Sequence, residues 1–297
     1  MELRHLRYFL AVADELHFGR AAARLHIAQP PLSRQIRQLE EELGFDLFAR
    51  TARRVRLTDA GRAFRDEARS LLGRLGDAVA ASRRVARGQA GALAVGFVAS
   101  ATYGLLPRLY RAFRERLPDV ALSLTEMSSA EQVEALRAGH IQVGLARPPV
   151  GDDALAVEPL AEEPLVAALP ARHPLATARE VPLRALARDA FVLFPRQPRP
   201  GWIDVVQSAC AAAGFRPAVA QEALELSTAV TLVAAGIGVT LVPASAQALR
   251  LAGVVYRPLR PPAPATSLLA LTRADEPRPV VERFLEVARA VVGPPPR

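Results

Sequence analysis

The chain has 297 residues, a length that suits two or three domains, and 51% of them are hydrophobic, which is enough for substantial cores. Cys210 is the only cysteine, which excludes disulfides within the chain and a thiolate metal cluster. The net charge of +8 is concentrated in the first 90 residues, which hold 17 arginines and 11 acids. Such an uneven charge is expected when one segment binds nucleic acid.

The first ten residues, MELRHLRYFL, do not resemble a signal peptide because charged residues interrupt the apolar ones. No run approaches the roughly 18–20 apolar residues that a membrane span needs. We therefore expect a cytoplasmic protein that does not cross a membrane.

The N-terminal pattern predicts an amphipathic helix over residues 3–15, followed by two short helices joined by a tight turn within residues 18–43. In the second of these, Leu32, Ile36, Leu39 and Leu43 recur at steps of 4, 3 and 4. This spacing places them in one apolar stripe on the helix. The preceding Pro30-Pro31 pair suits the first turn of a helix, where N–H groups lack intrahelical partners.

Polar and basic side chains occupy the other side of this helix, near its N-terminus. Pro30, Arg34 and Arg37 lie opposite the stripe, and Ser33 lies at its edge. The DNA major groove admits an α-helix, where Arg34 can bond to guanine, Gln29 to adenine, and Ser33 to a base or phosphate. The helix N-terminus itself favours phosphate. Taken alone, the pattern fits a solvated basic face equally well.

A short two-stranded wing is predicted next, because Val55 and Leu57 alternate with arginines. Arg50, Arg53 and Arg54 would lie near its tip, where arginine can contact phosphates or enter a narrow minor groove. The alternative is a solvated run of charge.

Thr58 is a good N-cap for a long helix that is predicted to end near Arg87. Its apolar positions follow a near-heptad stripe: Phe64, Ala68, Leu71, Leu75, Val79 and Ser82. The stripe suits pairing with a second copy, which would place two recognition helices on two half-sites. The alternative is a helix that packs only on its own chain. Residues 88–91 are predicted to form a hinge.

From residue 92 the pattern changes to alternating strands and helices, which predicts a mostly parallel sheet and a cleft between two α/β units. Strands are predicted at 92–98, 120–126, 141–146, 164–169, 190–194, 217–221, 238–242, 253–259 and 267–273, and helices at 104–116, 130–138, 201–213, 226–235 and 277–292.

Hydroxyl side chains follow two of the predicted strands: Ser100, Thr102, Ser128 and Ser129, beside helix starts at about 103 and 130. Hydroxyls together with helix N–H groups form an anion site. Arg147 can add charge through a bidentate pair. The alternative for each serine is simple helix capping without any ligand.

Residues 1–50 together with the RVRLTDAG segment resemble the N-terminal domain of LysR-type transcriptional regulators. The segments GFVASATYGLLPRL, VGLARPP and LVAAGIGVTLVPAS are similar to the effector domain of one branch, which includes activators of aromatic catabolism responding to muconate, benzoate or phenylpropanoid acids. The implied fold combines α and α/β parts. A winged helix-turn-helix (1–58), a linker helix (59–88) and a hinge (89–91) precede an effector domain (92–297) of two Rossmann-like, periplasmic-binding-protein-type subdomains, I (about 92–161 and 267–297) and II (about 162–266).

The resemblance also implies site residues. The expected DNA contacts are Gln29, Pro30, Ser33 and Arg34 on the recognition helix and Arg53 in the wing. The expected effector contacts are Ser100, Ser129, Arg147, Pro200 and Trp202. Muconate-type regulators place an asparagine and a phenylalanine where this chain has Gly201 and Trp202.

The same resemblance implies the partners. These are double-stranded promoter DNA, a small organic acid as inducer, further copies of the chain in a dimer of dimers, and RNA polymerase. No cofactor and no metal are expected.

Two other classes remain as alternatives. An α/β enzyme is disfavoured because the five histidines lack metal-ligand spacing, no GxSxG or P-loop occurs, and Gly236-Ile-Gly238 lies between a helix and the following strand. Cys210 falls on the apolar side of a predicted helix, which favours a core position. A free ligand-binding protein would lack the basic N-terminal segment and the long pairing helix.

Overall fold

A computed structural model describes residues 1–51, 54–195, 202–274 and 278–293, with residues 50, 51 and 54 described by their backbone alone. The chain divides into two compact units, Met1–Arg83 and Arg84–Arg297.

The first unit begins with three helices, α1 (Leu3–Glu15), α2 (Phe18–Arg24) and α3 (Gln29–Leu43). An antiparallel hairpin follows, formed by β1 (Phe48–Thr51) and β2 (Arg54–Leu57). The predicted leucine stripe of α3 is buried in a common core, whose largest fully buried members are Phe9, Leu32, Ile36, Leu39 and Leu47. The predicted winged helix-turn-helix is therefore confirmed.

A long helix, α4 (Asp59–Ala86), leaves this unit. Thr58 caps it as predicted, since its hydroxyl oxygen accepts a hydrogen bond from the Gly61 N–H at 2.8 Å. Gly61 lies so close to the carbonyl of Leu47 that a Cβ atom would overlap it. Further along α4 the predicted apolar stripe lies open, with Leu71 49% exposed and Val79 42% exposed.

The second unit begins with β3 (Gly91–Phe97), α5 (Leu105–Arg116), β4 (Val120–Glu126), α6 (Ser129–Arg137) and β5 (Val143–Ala146). It continues with β6 (Leu155–Pro170), β7 (Ala190–Leu193), α7 (Trp202–Ala212), β8 (Ala218–Glu222) and α8 (Leu226–Ala234). It ends with β9 (Thr240–Pro243), β10 (Val254–Pro258), β11 (Ala265–Arg273) and α9 (Pro279–Val292).

The prediction of a mostly parallel sheet is wrong. The main sheet has the order β10-β6-β11-β5-β3-β4, with β9 also pairing with β6. Its only parallel pairs among the described strands are β3 with β4 and β3 with β5, whereas all pairs that involve β6 or β11 are antiparallel. The reason is that no helix lies between β5 and β6, and antiparallel strands need no crossover helix.

The strand predicted at 164–169 is the second half of β6. Residues 155–164 of β6 pair with β11, and residues 165–170 lie between β9 and β10. One strand therefore runs through both halves of the second unit, Arg84–Arg297, which contains the effector domain that the resemblance implies and is called the effector unit below. The sequence did not predict residues 155–163 of β6, because the acidic and proline residues there interrupt the alternation that identifies a strand. Among the described residues, no helix is long and apolar enough to cross a membrane.

Candidate functional site

The N-terminal end of α3 presents the predicted DNA-contacting residues on one open surface. Gln29, Pro30 and Arg34 are exposed and Ser33 is half-buried. They line a single surface depression together with Arg37, Gln38 and Glu41. Because the opposite face of α3 is sealed into the core, this is the face that α3 can offer to a partner.

Two buried polar contacts hold α3 in place. The Nε2 atom of His5 lies 2.8 Å from the Oε1 atom of Gln35. Glu40 is 8% exposed, and its Oε1 atom accepts hydrogen bonds from the backbone N–H groups of Leu47 (2.9 Å) and Phe48 (3.1 Å). Sequence reasoning missed Glu40, although its position four residues after the buried Ile36 places it beside the apolar stripe.

The wing has the predicted hairpin backbone, with Phe48 opposite Leu57 and Ala49 opposite Arg56. Arg53, the predicted wing contact, lies outside the described residues. So do the side chains of Arg50 and Arg54, and their DNA-contacting role stays a prediction.

A cavity of about 100 Å³ lies in the effector unit at the carboxyl ends of β3, β4 and β5. Its volume is of the order that holds one small organic molecule, since a buried apolar cavity of about 150 Å³ binds benzene. The lining residues come from the predicted serine-bearing loops and from the other half of the unit: Val98, Ala99, Ser100, Met127, Ser128, Ser129, Arg147, Pro148, Phe194, Trp202, Glu225, Leu226 and Pro243.

Arg147 is the main cation of this cavity, although its residue is only 6% exposed. Its Nε donates to the Ser100 hydroxyl oxygen at 2.8 Å, and its Nη2 donates to the Glu163 carboxylate at 2.8 Å. Burial lowers the pKa of this guanidinium, and the charge of Glu163 offsets part of that effect. Arginine still remains charged, because its ordinary pKa is so high.

One nitrogen of Arg147, Nη1, is buried and has no hydrogen-bond partner among the described residues. A buried donor without an acceptor is costly, so its presence at the wall of a cavity marks a place for an incoming oxygen. The Ser100 hydroxyl accepts from Arg147 and keeps its own hydrogen for a second acceptor. Together these groups can hold one carboxylate.

The remaining hydroxyls of the predicted anion site are engaged locally. Ser129 donates to the Arg147 carbonyl at 2.9 Å and accepts from the Arg147 N–H at 3.1 Å, so it fixes the two loops to each other. Ser128 caps α6 in a reciprocal arrangement with Glu131. Thr102 donates to the carbonyl of Ala99. Capping, the alternative reading of these serines, therefore accounts for Ser128.

Apolar groups complete the cavity. Trp202 lies edge-on to Phe194, with ring centroids 6.4 Å apart and an interplanar angle of 77°. Pro200, predicted beside Trp202, lies outside the described residues. Sequence reasoning did not identify Met127, Phe194 or Leu226, because apolar residues at strand ends carry no signal that separates a cavity wall from a core.

Glu163 was also missed, because it lies in the half of β6 that the sequence did not predict. Its carboxylate accepts from Ser245 at 3.0 Å as well as from Arg147. Ser245 follows β9, so this carboxylate links the two halves of the effector unit.

Cys210, by contrast, lies in the core of the effector unit with no exposed surface. Burial raises the pKa of its thiol to about 11, which disfavours the nucleophilic thiolate. The described residues contain no cluster of three or more His, Cys, Asp or Glu side chains that could hold a metal ion.

A helix-turn-helix with an open basic face is followed by an α/β unit whose small cavity is lined by a buried arginine. This combination defines the class of ligand-responsive DNA-binding regulators. Comparison with known proteins agrees with this class. The family model described as bacterial regulatory helix-turn-helix protein, lysR family, matches residues 3–62. The LysR substrate binding domain model matches residues 86–293.

Full-length relatives match over nearly the whole chain. The transcriptional regulator AlsR of Bacillus subtilis (strain 168) is 42% identical over 289 residues, covering 97% of this chain and 95% of AlsR. CatR of Pseudomonas putida is 44% identical over 285 residues, covering 96% of this chain and 97% of CatR.

Solved structures are similar as well. Full-length CbnR complexed with its target DNA has a TM-score of 0.84 at 33% identity, covering 99% of this chain and all of CbnR. The BenM effector-binding domain with its effector benzoate has a TM-score of 0.63 at 32% identity, covering 68% of this chain and 91% of that domain.

The chain belongs to the LysR family of bacterial transcriptional regulators. It is therefore a DNA-binding regulator with an effector-binding domain, and the enzyme alternative is excluded.

Proposed function

We propose that the effector is a small organic carboxylate, aromatic or muconate-like, and that it binds in the cavity beside Arg147. The observation that carries this proposal is the buried Nη1 atom of Arg147, which has no acceptor among the described residues. The benzoate complex of BenM supports an aromatic acid as the type of ligand.

In this proposal the ligand carboxylate accepts hydrogen bonds from Arg147 Nη1 and the Ser100 hydroxyl, near the N-terminus of α6. The apolar part of the ligand packs against Trp202 and Phe194. A ligand of this size fits the cavity, whereas a polymer does not. Ser129 contributes by holding the Arg147 backbone rather than by donating its hydroxyl to the ligand. The role of Pro200 stays a prediction from the resemblance.

Effector binding alters promoter recognition through the Glu163 link. The Glu163 carboxylate connects Arg147 in one half of the effector unit to Ser245 in the other. A ligand carboxylate that binds Arg147 competes with Glu163 for the same cation and so favours one closure of the two halves. The ligand shifts this equilibrium only by its different affinity for the two states.

On the DNA side we propose that Gln29, Pro30, Ser33 and Arg34 contact promoter DNA, with Arg53 in the wing. The complex of CbnR with its target DNA supports this use of the domain.

We further propose pairing through α4, assembly into a dimer of dimers, contact with RNA polymerase at the promoter, and a cytoplasmic location, where promoter DNA lies. The boundaries 1–58, 59–88, 89–91 and 92–297 define the parts in this proposal.

The test is Ser100→Ala in the full-length protein. Loss of one hydroxyl donor to a carboxylate should weaken the binding of benzoate or cis,cis-muconate by about 1–2 kcal/mol, roughly five- to thirtyfold. Binding can be followed through the fluorescence of Trp202, the only tryptophan in the chain. DNA affinity without effector should stay nearly unchanged.

Ser267→Ala, the same change on β11 at a residue that does not line the cavity, is the control. A wild-type protein that binds neither acid would refute the proposed class of effector. If Ser100→Ala lost DNA binding as well, the residue would serve folding rather than effector binding.

A further inference from the structure

Gln132 on α6 is completely buried although its side chain is polar. It occupies a slot on the sheet that two glycines create. Gly96 on β3 and Gly144 on β5 are direct neighbours across the parallel ladder. A Cβ atom at Gly96 would lie 3.0 Å from Cγ of Gln132, and one at Gly144 would lie 2.7 Å from its Oε1. Glycine at both positions therefore leaves the space that this side chain fills.

The Gln132 amide bridges two strands that are not neighbours. Its Nε2 donates to the Met127 carbonyl at 3.0 Å and to the Leu145 carbonyl at 3.3 Å. Met127 follows β4 and Leu145 lies in β5, and β3 separates these strands in the sheet. Backbone bonds from Met127 N–H to Phe97 and from Val98 N–H to Leu145 complete the connection, each at 2.9 Å. The side chain thus joins the carboxyl ends of β4 and β5, and backbone bonds tie both to the end of β3.

The loops that leave these three strand ends form one wall of the effector cavity. They carry Ser100 after β3, Ser129 after β4 and Arg147 after β5. The two hydrogen bonds that Ser129 and Arg147 exchange require the second and third loops to keep a fixed separation. Gln132 sets that separation through its bonds to Met127 and Leu145, at the bases of the two loops, and its own atoms do not line the cavity.

We propose that Gln132 is a positioning residue of the effector site, holding the loops after β4 and β5 so that Arg147 presents Nη1 to a ligand carboxylate. This inference rests on the proposed function, because it assigns a role relative to the same ligand. An apolar side chain of similar length could fill the slot without making these hydrogen bonds. The chain has a glutamine there although its Oε1 has no hydrogen-bond partner among the described residues, which indicates that the two donated bonds are what the position requires.

Gln132→Met in the full-length protein tests the inference, because methionine keeps the length of the side chain and removes both bonds. We expect benzoate or cis,cis-muconate to bind about tenfold more weakly, the size of effect that loss of such bonds at a preorganised site produces. We also expect faster hydrogen exchange at the Arg147 amide, which donates to Ser129. Gln132→Glu, which in its protonated form can keep one donor, should give an intermediate loss of affinity and serves if the methionine variant does not fold.

Gln142→Met is a matched control. Gln142 also bridges backbone groups, accepting from Ala94 N–H at 2.9 Å and donating to the Gly139 carbonyl at 3.2 Å, but it precedes β5 and lies away from the cavity. Both methionine variants should lower the melting temperature. Only Gln132→Met should weaken binding of the acid and speed hydrogen exchange at the Arg147 amide.

Four outcomes separate the two proposals. Equal loss of affinity in the two methionine variants, or unchanged exchange at the Arg147 amide in Gln132→Met, overturns the positioning role. A wild-type protein that binds neither acid refutes the effector proposal and, with it, the assignment of Gln132 to an effector site. Full affinity in Gln132→Met with a lowered melting temperature shows that the glutamine serves stability alone.

Discussion

Arg147 carries its charge at a buried position, where the loss of hydration disfavours a charged group. Its guanidinium is nearly inaccessible to water, and the Glu163 carboxylate and the Ser100 hydroxyl provide its compensation. Removing one partner of a buried ion pair costs far more than the pair contributes, so such pairs are poor devices for stability. The position of this pair at a cavity wall is better explained by ligand binding, since Nη1 of the same guanidinium has no partner among the described residues and can donate to an incoming carboxylate.

Arg34 is the corresponding residue on the DNA side. Arg34→Ala should weaken binding to a specific site by about 1–3 kcal/mol if the guanidinium reads a guanine edge. The measurement is fluorescence anisotropy with a site that the wild-type protein selects from a random DNA library. Sequence preference at one base pair should relax at the same time.

Arg172→Ala, an exposed residue of the effector unit, removes the same charge elsewhere and is the control. A loss in Arg34→Ala that is equal on all sequences would assign Arg34 to phosphate contact instead of base reading.

At the scale of elements, contacts near the C-terminal end of α3 fix the orientation of this helix. The buried Glu40 carboxylate fixes the start of the wing through two backbone N–H groups, so the recognition helix and the hairpin are held as one piece. The apolar stripe fixes the rotation of α3 about its axis, and this carboxylate fixes where the wing begins.

Glu40→Ala should lower the free energy of unfolding of the N-terminal unit by about 2 kcal/mol, because two buried N–H groups lose a charged acceptor. Glu40→Gln keeps one acceptor oxygen and should lower the free energy of unfolding by less than about 1 kcal/mol. Urea unfolding measures both changes, with the exposed Glu41→Ala as the control. If Glu40→Ala were as stable as the control, the two bonds would contribute nothing to stability.

At the scale of the whole molecule, the open stripe of α4 is the surface that a second copy would cover. Leu71 and Val79 are large apolar residues on one side of this helix, and both are largely exposed in the single chain. A helix of 28 residues with such a stripe suits pairing in the manner of a coiled coil. Pairing would bring two recognition helices to two half-sites.

Val79→Glu should therefore dissociate the assembly and weaken operator binding at least tenfold, because a buried charge at the seam is unpaired. Light scattering coupled to size exclusion measures the mass. Ala80→Glu places the same charge on the other side of α4 and should leave the mass unchanged. An unaltered mass in Val79→Glu would exclude this stripe as the seam.

The amino-acid sequence by itself determined the element order, the helix-turn-helix, the capped long helix and the family. These features depend on local periodicity, on capping residues such as Thr58 and on motifs, all of which are visible along the chain. It also identified Ser100 and Arg147 as site candidates, because polar residues at strand ends are a local signal.

Only the tertiary structure decided the mixed sheet, the double role of β6, and the distinction between Ser100, which faces the cavity, and Ser128, which caps a helix. It alone revealed Glu163 and Gln132, each of which forms a hydrogen bond to a residue 13 or more positions away along the chain. Strand register and buried polar contacts depend on which distant segments meet, and sequence periodicity carries no information about that.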